Sequence, residues 1–382
     1  MKRVPAFDGL RAVAISMVII CHVCARSPQL VLTHLVGQQG WYGVDIFFVL
    51  SGFLITRLLI AKQQATGGVN LRRFYVRRIF RLYPALISAV GLTLLGLLVM
   101  RLHRDIKTLF LFLPLILTYT FNWWISFFGV PPGFQLDQIW PLCVEEHFYL
   151  LWPAAFKRLR PGHAFFALAA GLTIALLVRA IAVSFRTTTF AGNFIAYSTL
   201  TRMDAIIVGC GMALLVPWLE SYPFLYTGRA LWLYTVVTLV LIECGAKSQA
   251  FCAAGGSTIM ATAVGATVTA IWLGAQCGVS RLLSSPLLVE IGKVSHGIYL
   301  FHLAVLAAVL RILHIYDARS SMLAMAIFSL TFLVTLAFSE LHHRVVESRF
   351  LVMRDHLFRR HTSNSDMLVP LMSGAVTPTT GA

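Results

Sequence analysis

The chain has 382 residues, of which 58% are hydrophobic and only 12% charged, and it carries a formal net charge of +16. Apolar runs of about 18 or more residues recur from end to end, each long enough to cross a hydrocarbon core roughly 30 Å thick, so a soluble globule is excluded. The positive charge does not point to nucleic acid, because the basic residues sit in short loops between apolar runs, where membrane topology accounts for them.

In chain order the runs predict an all-α, polytopic membrane protein of about ten transmembrane helices. They lie near 8–26, 40–60, 80–100, 139–156, 163–184, 203–219, 229–246, 256–276, 295–312 and 321–343. A further apolar stretch, Leu109 to Phe128, is broken by Pro114 and ends in Asn122, Trp123 and Trp124, which suggests a re-entrant or interfacial segment. Ten spans with a cytoplasmic N-terminus place 19 Lys and Arg inside and 9 outside, leaving Arg11, Arg57 and Arg179 within spans. The positive-inside rule therefore favours two cytoplasmic termini. Met1 to Ala25 resembles a signal peptide, but Arg11 and His22 interrupt its apolar stretch, and it reads as the first span.

Residues 1–350 read as one membrane domain, and residues 351–382 as a cytoplasmic tail. From about Thr362 the tail is rich in Ser, Thr, Gly and Pro and is expected to be disordered. The seven cysteines, at 21, 24, 143, 210, 244, 252 and 277, are odd in number and imply no disulfide framework. Cys21 and Cys24 flank His22 without matching a zinc spacing, and no metal is expected.

Ionisable side chains in apolar spans are costly, so those that persist are functional candidates. They are Arg11, His22, Asp45, Glu145, Glu146, His147, Asp204, Glu243, His302 and Glu340. Arg11 and His22 are eleven residues apart, about 20° beyond three full turns and roughly 16 Å along a helix axis. They share one face, Arg11 near the cytoplasmic headgroups and His22 deeper. An anion held at the surface could thus send a long arm to His22; equally, Arg11 could snorkel to lipid phosphate while His22 bonds a neighbouring helix. Arg72, Arg73, Arg77, Arg78 and Arg81 cluster at the cytoplasmic start of the third span, as a phosphate-binding site or as the basic collar that orients a span. Arg202 with Asp204, and Glu347 with Arg344 or Arg349, read equally well as structural pairs.

Six blocks, in order, carry a resemblance. They are Asp8-Gly9-Leu10-Arg11-Ala12 followed by His22; Gly43-Val44-Asp45-Ile46-Phe47-Phe48-Val49-Leu50-Ser51-Gly52-Phe53-Leu54-Ile55; the Arg72 to Pro84 stretch with its Arg-Leu-Tyr-Pro end; Trp140 to Leu150; Thr201-Arg202-Met203-Asp204; and Ser295 to His302. Together they resemble the acyltransferase 3 family of integral membrane O-acyltransferases over about residues 5–350. In one departure, Pro141 stands where the family pattern usually has serine, and a hydroxyl role there is lost.

The resemblance implies transfer of an acyl group, usually acetyl from acetyl-CoA on the cytoplasmic side, to a hydroxyl of a carbohydrate or another hydroxylated metabolite. It suits a bacterial plasma (inner) membrane enzyme. It assigns His22 as general base or acyl carrier and Arg11 to donor positioning, with Asp45 and Glu145 orienting His22 or binding the acceptor. Arg72, Arg73, Arg77, Arg78, Arg81 and Tyr83 would bind the donor. His302 would close the site, and Arg202 and Asp204 are further candidates. Ser51 and Tyr149 are candidates that more often serve as helix contacts. Acyl-CoA is the only cofactor implied. The expected partners are the lipid bilayer, the donor and the acceptor, without nucleic acid. Some members carry a further soluble domain, so a separate partner chain would complete delivery if the membrane unit does not. The rival reading is a transporter or flippase, against which no inverted repeat is found.

Overall fold

The computed structural model describes residues 3–25, 39–132, 136–185, 188–248, 251, 255–314, 320–354 and 356. Every regular element among them is helical. The tail expected to be disordered from Thr362 lies outside the described residues, as do Lys2, Arg26, Arg186 and Arg319 of the charge tally.

Helix α1 (Pro5–Cys24) starts on a proline, whose fixed φ suits a first helical turn. Helix α2 (Tyr42–Thr66) follows a 3-10 turn, Gln39–Trp41, and stops at Gly67, whose φ of 69° few side chains adopt. Helix α3 (Leu71–Val99) is capped by Asn70, whose side chain accepts from the Arg73 amide. Helices α4 (His103–Leu117) and α5 (Phe121–Phe128) meet at 120° around Tyr119, which has a φ of 55°. The stretch expected to be re-entrant is therefore a sharp corner and not a straight rod.

The chain continues through α6 (Trp140–Arg158), α7 (Pro161–Ser184), α8 (Thr189–Tyr197), α9 (Thr199–Arg202), α10 (Asp204–Leu219) and α11 (Gly228–Lys247). It ends with α12 (Ser257–Trp272), α13 (Gly278–Leu283), α14 (Pro286–Lys293), α15 (Ser295–Ile312) and α16 (Ser321–His342), the last running into a π-turn, His343–Glu347.

Seven helices among the described residues are long and apolar enough to cross a membrane, or eight if the α4–α5 corner counts as one span. Three of the ten expected spans fall short for physical reasons. Helix α6 carries Glu145, Glu146, Lys157 and Arg158, while α10 and α12 have 16 residues each. All three are nonetheless helices, and they pack inside the bundle where shortness and charge are tolerated.

Close helix crossings set the core. A Cβ on Gly52 would lie 2.0 Å from the Ile206 carbonyl oxygen, and one on Gly209 2.2 Å from that of Val49, so α2 and α10 cross backbone to backbone. Small residues do the same for α1, where a Cβ on Gly292 would meet the Asp8 carbonyl oxygen at 1.8 Å.

Two buried ion pairs tie the crossing helices to their neighbours, α2 to α9 and α10 to α7. Arg202 donates to Asp45 at 2.7 Å, and Arg179 pairs with Asp204 at 2.9 Å. Arg202 and Asp204 thus pair with other helices and not with each other: neighbours at a helix junction point apart, and each finds an opposite charge across the bundle. Likewise Glu347 accepts from His343 at 2.9 Å, while Arg344 reaches Glu340, one turn back on its own helix, at 2.6 Å.

Candidate active site

Two cavities follow one another along the bundle. The larger, about 570 Å³, is lined by Arg3 just before α1, by Asp8 and Arg11 on α1, and by Arg78 and Arg81 on α3. On α6 it is lined by Pro141, Glu145 and Tyr149, and near the start of α15 by Lys293 and His296. The smaller, about 50 Å³, is lined by Val18, Cys21 and His22 of α1 together with Trp41, Asp137, Gln138, Trp140 and Tyr197. Val44 and Tyr299 line both and form the wall between them.

The order of these residues along their helices is the same everywhere. Descending from the small cavity to the large one, α1 passes from His22 to Arg11, α2 from Val44 to Leu58, α6 from Trp140 to Tyr149, and α15 from Tyr299 to His296. The shared face expected of Arg11 and His22 therefore spans both cavities, one residue in each.

In the large chamber, Asp8 holds two arginines, one before α1 and one on it: Arg3 donates to Oδ2 at 2.8 Å and Arg11 to Oδ1 at 2.8 Å. A carboxylate gripped by two guanidiniums leaves net positive charge and unused N–H donors facing the cavity. Opposite, the Arg78 guanidinium lies 3.4 Å over the centroid of the Tyr149 ring. The Tyr149 hydroxyl donates to Glu145 Oε1 at 2.5 Å, and Ser51 donates to the same oxygen. A hydroxyl therefore reaches Glu145 from α2, although Pro141 supplies none from α6.

In the small cavity the His22 ring lies 5.1 Å from that of His302, which is fully buried. Nδ1 of His302 sits 2.6 Å from the Tyr299 carbonyl oxygen. A carbonyl only accepts, so Nδ1 carries the proton and His302 is held in one tautomer, with Nε2 buried and without a hydrogen-bond partner. Tyr299 is itself pinned, its hydroxyl donating to the Gln138 carbonyl at 2.7 Å.

The structure gathers some of the sequence candidates and leaves others apart. Arg11, Arg78, Arg81, Glu145, Ser51 and Tyr149 line the large chamber, and His22 and His302 meet at the small one. Asp45 lines neither cavity and faces Arg202 instead. Arg72, Arg73 and Arg77 lie on α3 outside the lining, with Arg72 and Arg73 exposed. Tyr83 turns away and donates to the Leu117 carbonyl at 2.9 Å, tying α3 to α4. Arg78 and Arg81, three residues apart on α3, are the two of the five that line the chamber.

Sequence reasoning did not single out Arg3, Lys293, His296, Asp137, Gln138 or Tyr299 as site residues. The first two looked like ordinary topology charges. Asp137 and Gln138 belong to a short 3-10 turn with no periodic signal. A group of three or more His, Cys, Asp or Glu side chains placed to hold a metal is absent among the described residues.

The acyltransferase domain profile of the acyltransferase 3 family matches residues 4–340. The peptidoglycan O-acetyltransferase OatA of Listeria monocytogenes is 29% identical over 334 residues, covering 82% of this chain and 51% of that protein. The O-acetyltransferase OatA of Staphylococcus aureus is 26% identical over 370 residues, covering 91% of this chain and 57% of that protein. The chain thus spans little more than half the length of these curated relatives. No solved structure matches it significantly.

Proposed function

The chain belongs to the acyltransferase 3 family, and from that premise we propose that it moves an acetyl group from acetyl-CoA to a hydroxyl of a cell-surface carbohydrate. The observation that carries this reading is the stacked pair of cavities, a cationic chamber of about 570 Å³ and a small pocket with an imidazole, divided by Val44 and Tyr299. Coenzyme A has this shape in chemical terms: a polyanionic head, a long neutral arm and a reactive thioester at its tip.

On this reading Arg78 and Arg81, with Arg11, Arg3 and Lys293, bind the phosphates of the donor. Guanidinium forks suit phosphate oxygens, and the lining arginines come from α1 with the residues just before it and from α3. The pantetheine arm runs along the apolar wall of Phe47, Leu54 and Leu58 toward Tyr299. His22 takes the proton from the acceptor hydroxyl as its oxygen bonds the acyl carbon. The C–S bond then breaks, and the CoA thiolate leaves and takes up that proton, giving the ester and free CoA. His302, fixed by Tyr299, keeps the His22 ring in place and is a positioning residue.

The charge distribution supports ten spans with both termini in the cytoplasm of a bacterium, α6, α10 and α12 completing the seven longer helices. This puts the arginine chamber on the CoA side and the His22 pocket toward the outer leaflet. The name of the Listeria relative supports a cell-wall glycan as acceptor.

The test is transfer of labelled acetyl from acetyl-CoA to glycan fragments by detergent-purified protein. His22→Ala should lower turnover by about 10² to 10⁴ while CoA still binds. A folded His22→Ala that transfers at the wild-type rate would remove the imidazole from the mechanism.

A further inference from the structure

The small cavity has a size that bears on a question the family assignment leaves open, namely which acyl groups the site accepts. We propose that the pocket beside His22 is a sieve that admits acetyl and excludes acyl chains of four or more carbons. The inference rests on the acyl-transfer reading above and deepens it.

The first ground is volume. An apolar cavity of about 150 Å³ takes one benzene ring of six heavy atoms. A pocket of about 50 Å³ then has room for two or three, which matches the methyl, carbonyl carbon and oxygen of acetyl and leaves nothing for two further methylenes.

The second ground is that the walls are fixed. Gly40 presses on α1 with no side chain between, since a Cβ there would lie 2.2 Å from the Met17 carbonyl oxygen and 2.5 Å from Cys21 Cβ. That wall is backbone and has no rotamer to change. On the opposite side Tyr299 is tethered through its hydroxyl to Gln138 at 2.7 Å, and the Gln138 side chain donates to the Leu300 carbonyl at 3.1 Å. Trp41 and Trp140 stack at 5.5 Å and 23°, and Tyr197 closes edge-on against Trp140 at 5.4 Å. A longer chain would have to displace stacked indoles or break the Tyr299 tether, and packed interiors yield poorly to added methylenes.

The third ground is position. Val44 and Tyr299 line both cavities, so an acyl group carried on a thioester in the large chamber meets this wall before it meets His22. Val18 stands three residues before Cys21 and four before His22 on α1, all three line the pocket, and Val18 and Cys21 set its depth.

The experiment measures competition between acetyl-CoA and butyryl-CoA with purified full-length protein and one glycan acceptor, following both esters by mass spectrometry. Wild type should favour acetyl by at least about 100-fold, the discrimination that steric exclusion of added methylenes reaches. Val18→Ala and, separately, Cys21→Ala should each raise the butyryl to acetyl ratio by roughly tenfold. The wild-type ratio decides the matter even if a variant fails to fold. Comparable transfer of both groups by wild type overturns the sieve and leaves the acyltransferase reading standing. Selectivity that Val18→Ala and Cys21→Ala, both folded, leave unchanged also overturns it, since the limit would then lie in the donor chamber. Failure of well-folded wild type to transfer either group overturns both readings.

Discussion

Oδ1 of Asp45 accepts a hydrogen bond from Nη2 of Arg202 at 2.7 Å, joining α2 to the short helix α9 that precedes α10. Both side chains are nearly inaccessible, at 2% and 8% exposure, and the Arg202 guanidinium also lies 5.6 Å from the Trp140 ring. A buried pair of this kind is costly to half-remove, because the remaining charge has no water to turn to.

Asp45→Asn should therefore cost stability before it costs chemistry, by about 3 to 5 kcal/mol. Thermal unfolding in detergent, followed by the helix signal, measures this. If Asp45→Asn melts like wild type but loses acetyl transfer, Asp45 acts at the reacting centre and not as a clamp.

The second prediction separates arginines that look alike in sequence. Arg78→Ala and Arg81→Ala should weaken acetyl-CoA binding by roughly 10- to 100-fold, the usual worth of a hydrogen bond to a charged group. Arg72→Ala, at an exposed position outside the chamber lining, should change it little. Binding should also weaken with added salt. Isothermal titration on the three variants decides whether the chamber or the whole basic cluster holds the donor.

Tyr149 offers a finer contrast. Its ring carries the Arg78 guanidinium and its hydroxyl donates to Glu145. Tyr149→Phe keeps the ring face and should leave donor affinity within about threefold, whereas Tyr149→Leu removes the cation–π contact and should lose about 0.5 to 2 kcal/mol. Equal losses in the two variants would mean that the hydroxyl and not the ring positions Arg78.

Topology can be read with one native and one added cysteine. Cys244 is exposed near the end of α11 and should react with an impermeant thiol reagent in intact cells. Gly68→Cys lies in the short α2–α3 link, where a Cβ has open space, and in a background with the native cysteines replaced by serine it should react only after permeabilisation. Labelling of Gly68→Cys from outside would invert the proposed orientation.

The sequence by itself determined the environment and the chemical inventory. A chain this apolar must satisfy its backbone within helices, and the few charges left inside them had to be paired or functional. The eleven-residue spacing of Arg11 and His22 already put them on one face, because helix periodicity is a local property. What the sequence could not fix was which charge meets which. Arg202 stands two residues from Asp204 yet pairs with Asp45, 157 residues away, because that partner is chosen by a glycine-lined crossing of α2 and α10. The same holds for α3, where five arginines have similar local surroundings and only the packing of α3 against the bundle turns Arg78 and Arg81 inward. The wall of Val44 and Tyr299 between the two cavities joins residues from α2 and α15, and it exists only once those helices are packed. Helix propensity acts over a few residues, whereas cavity shape and ion pairing are set by contacts between segments far apart in the chain. That is why the helices were legible beforehand and the chamber was not.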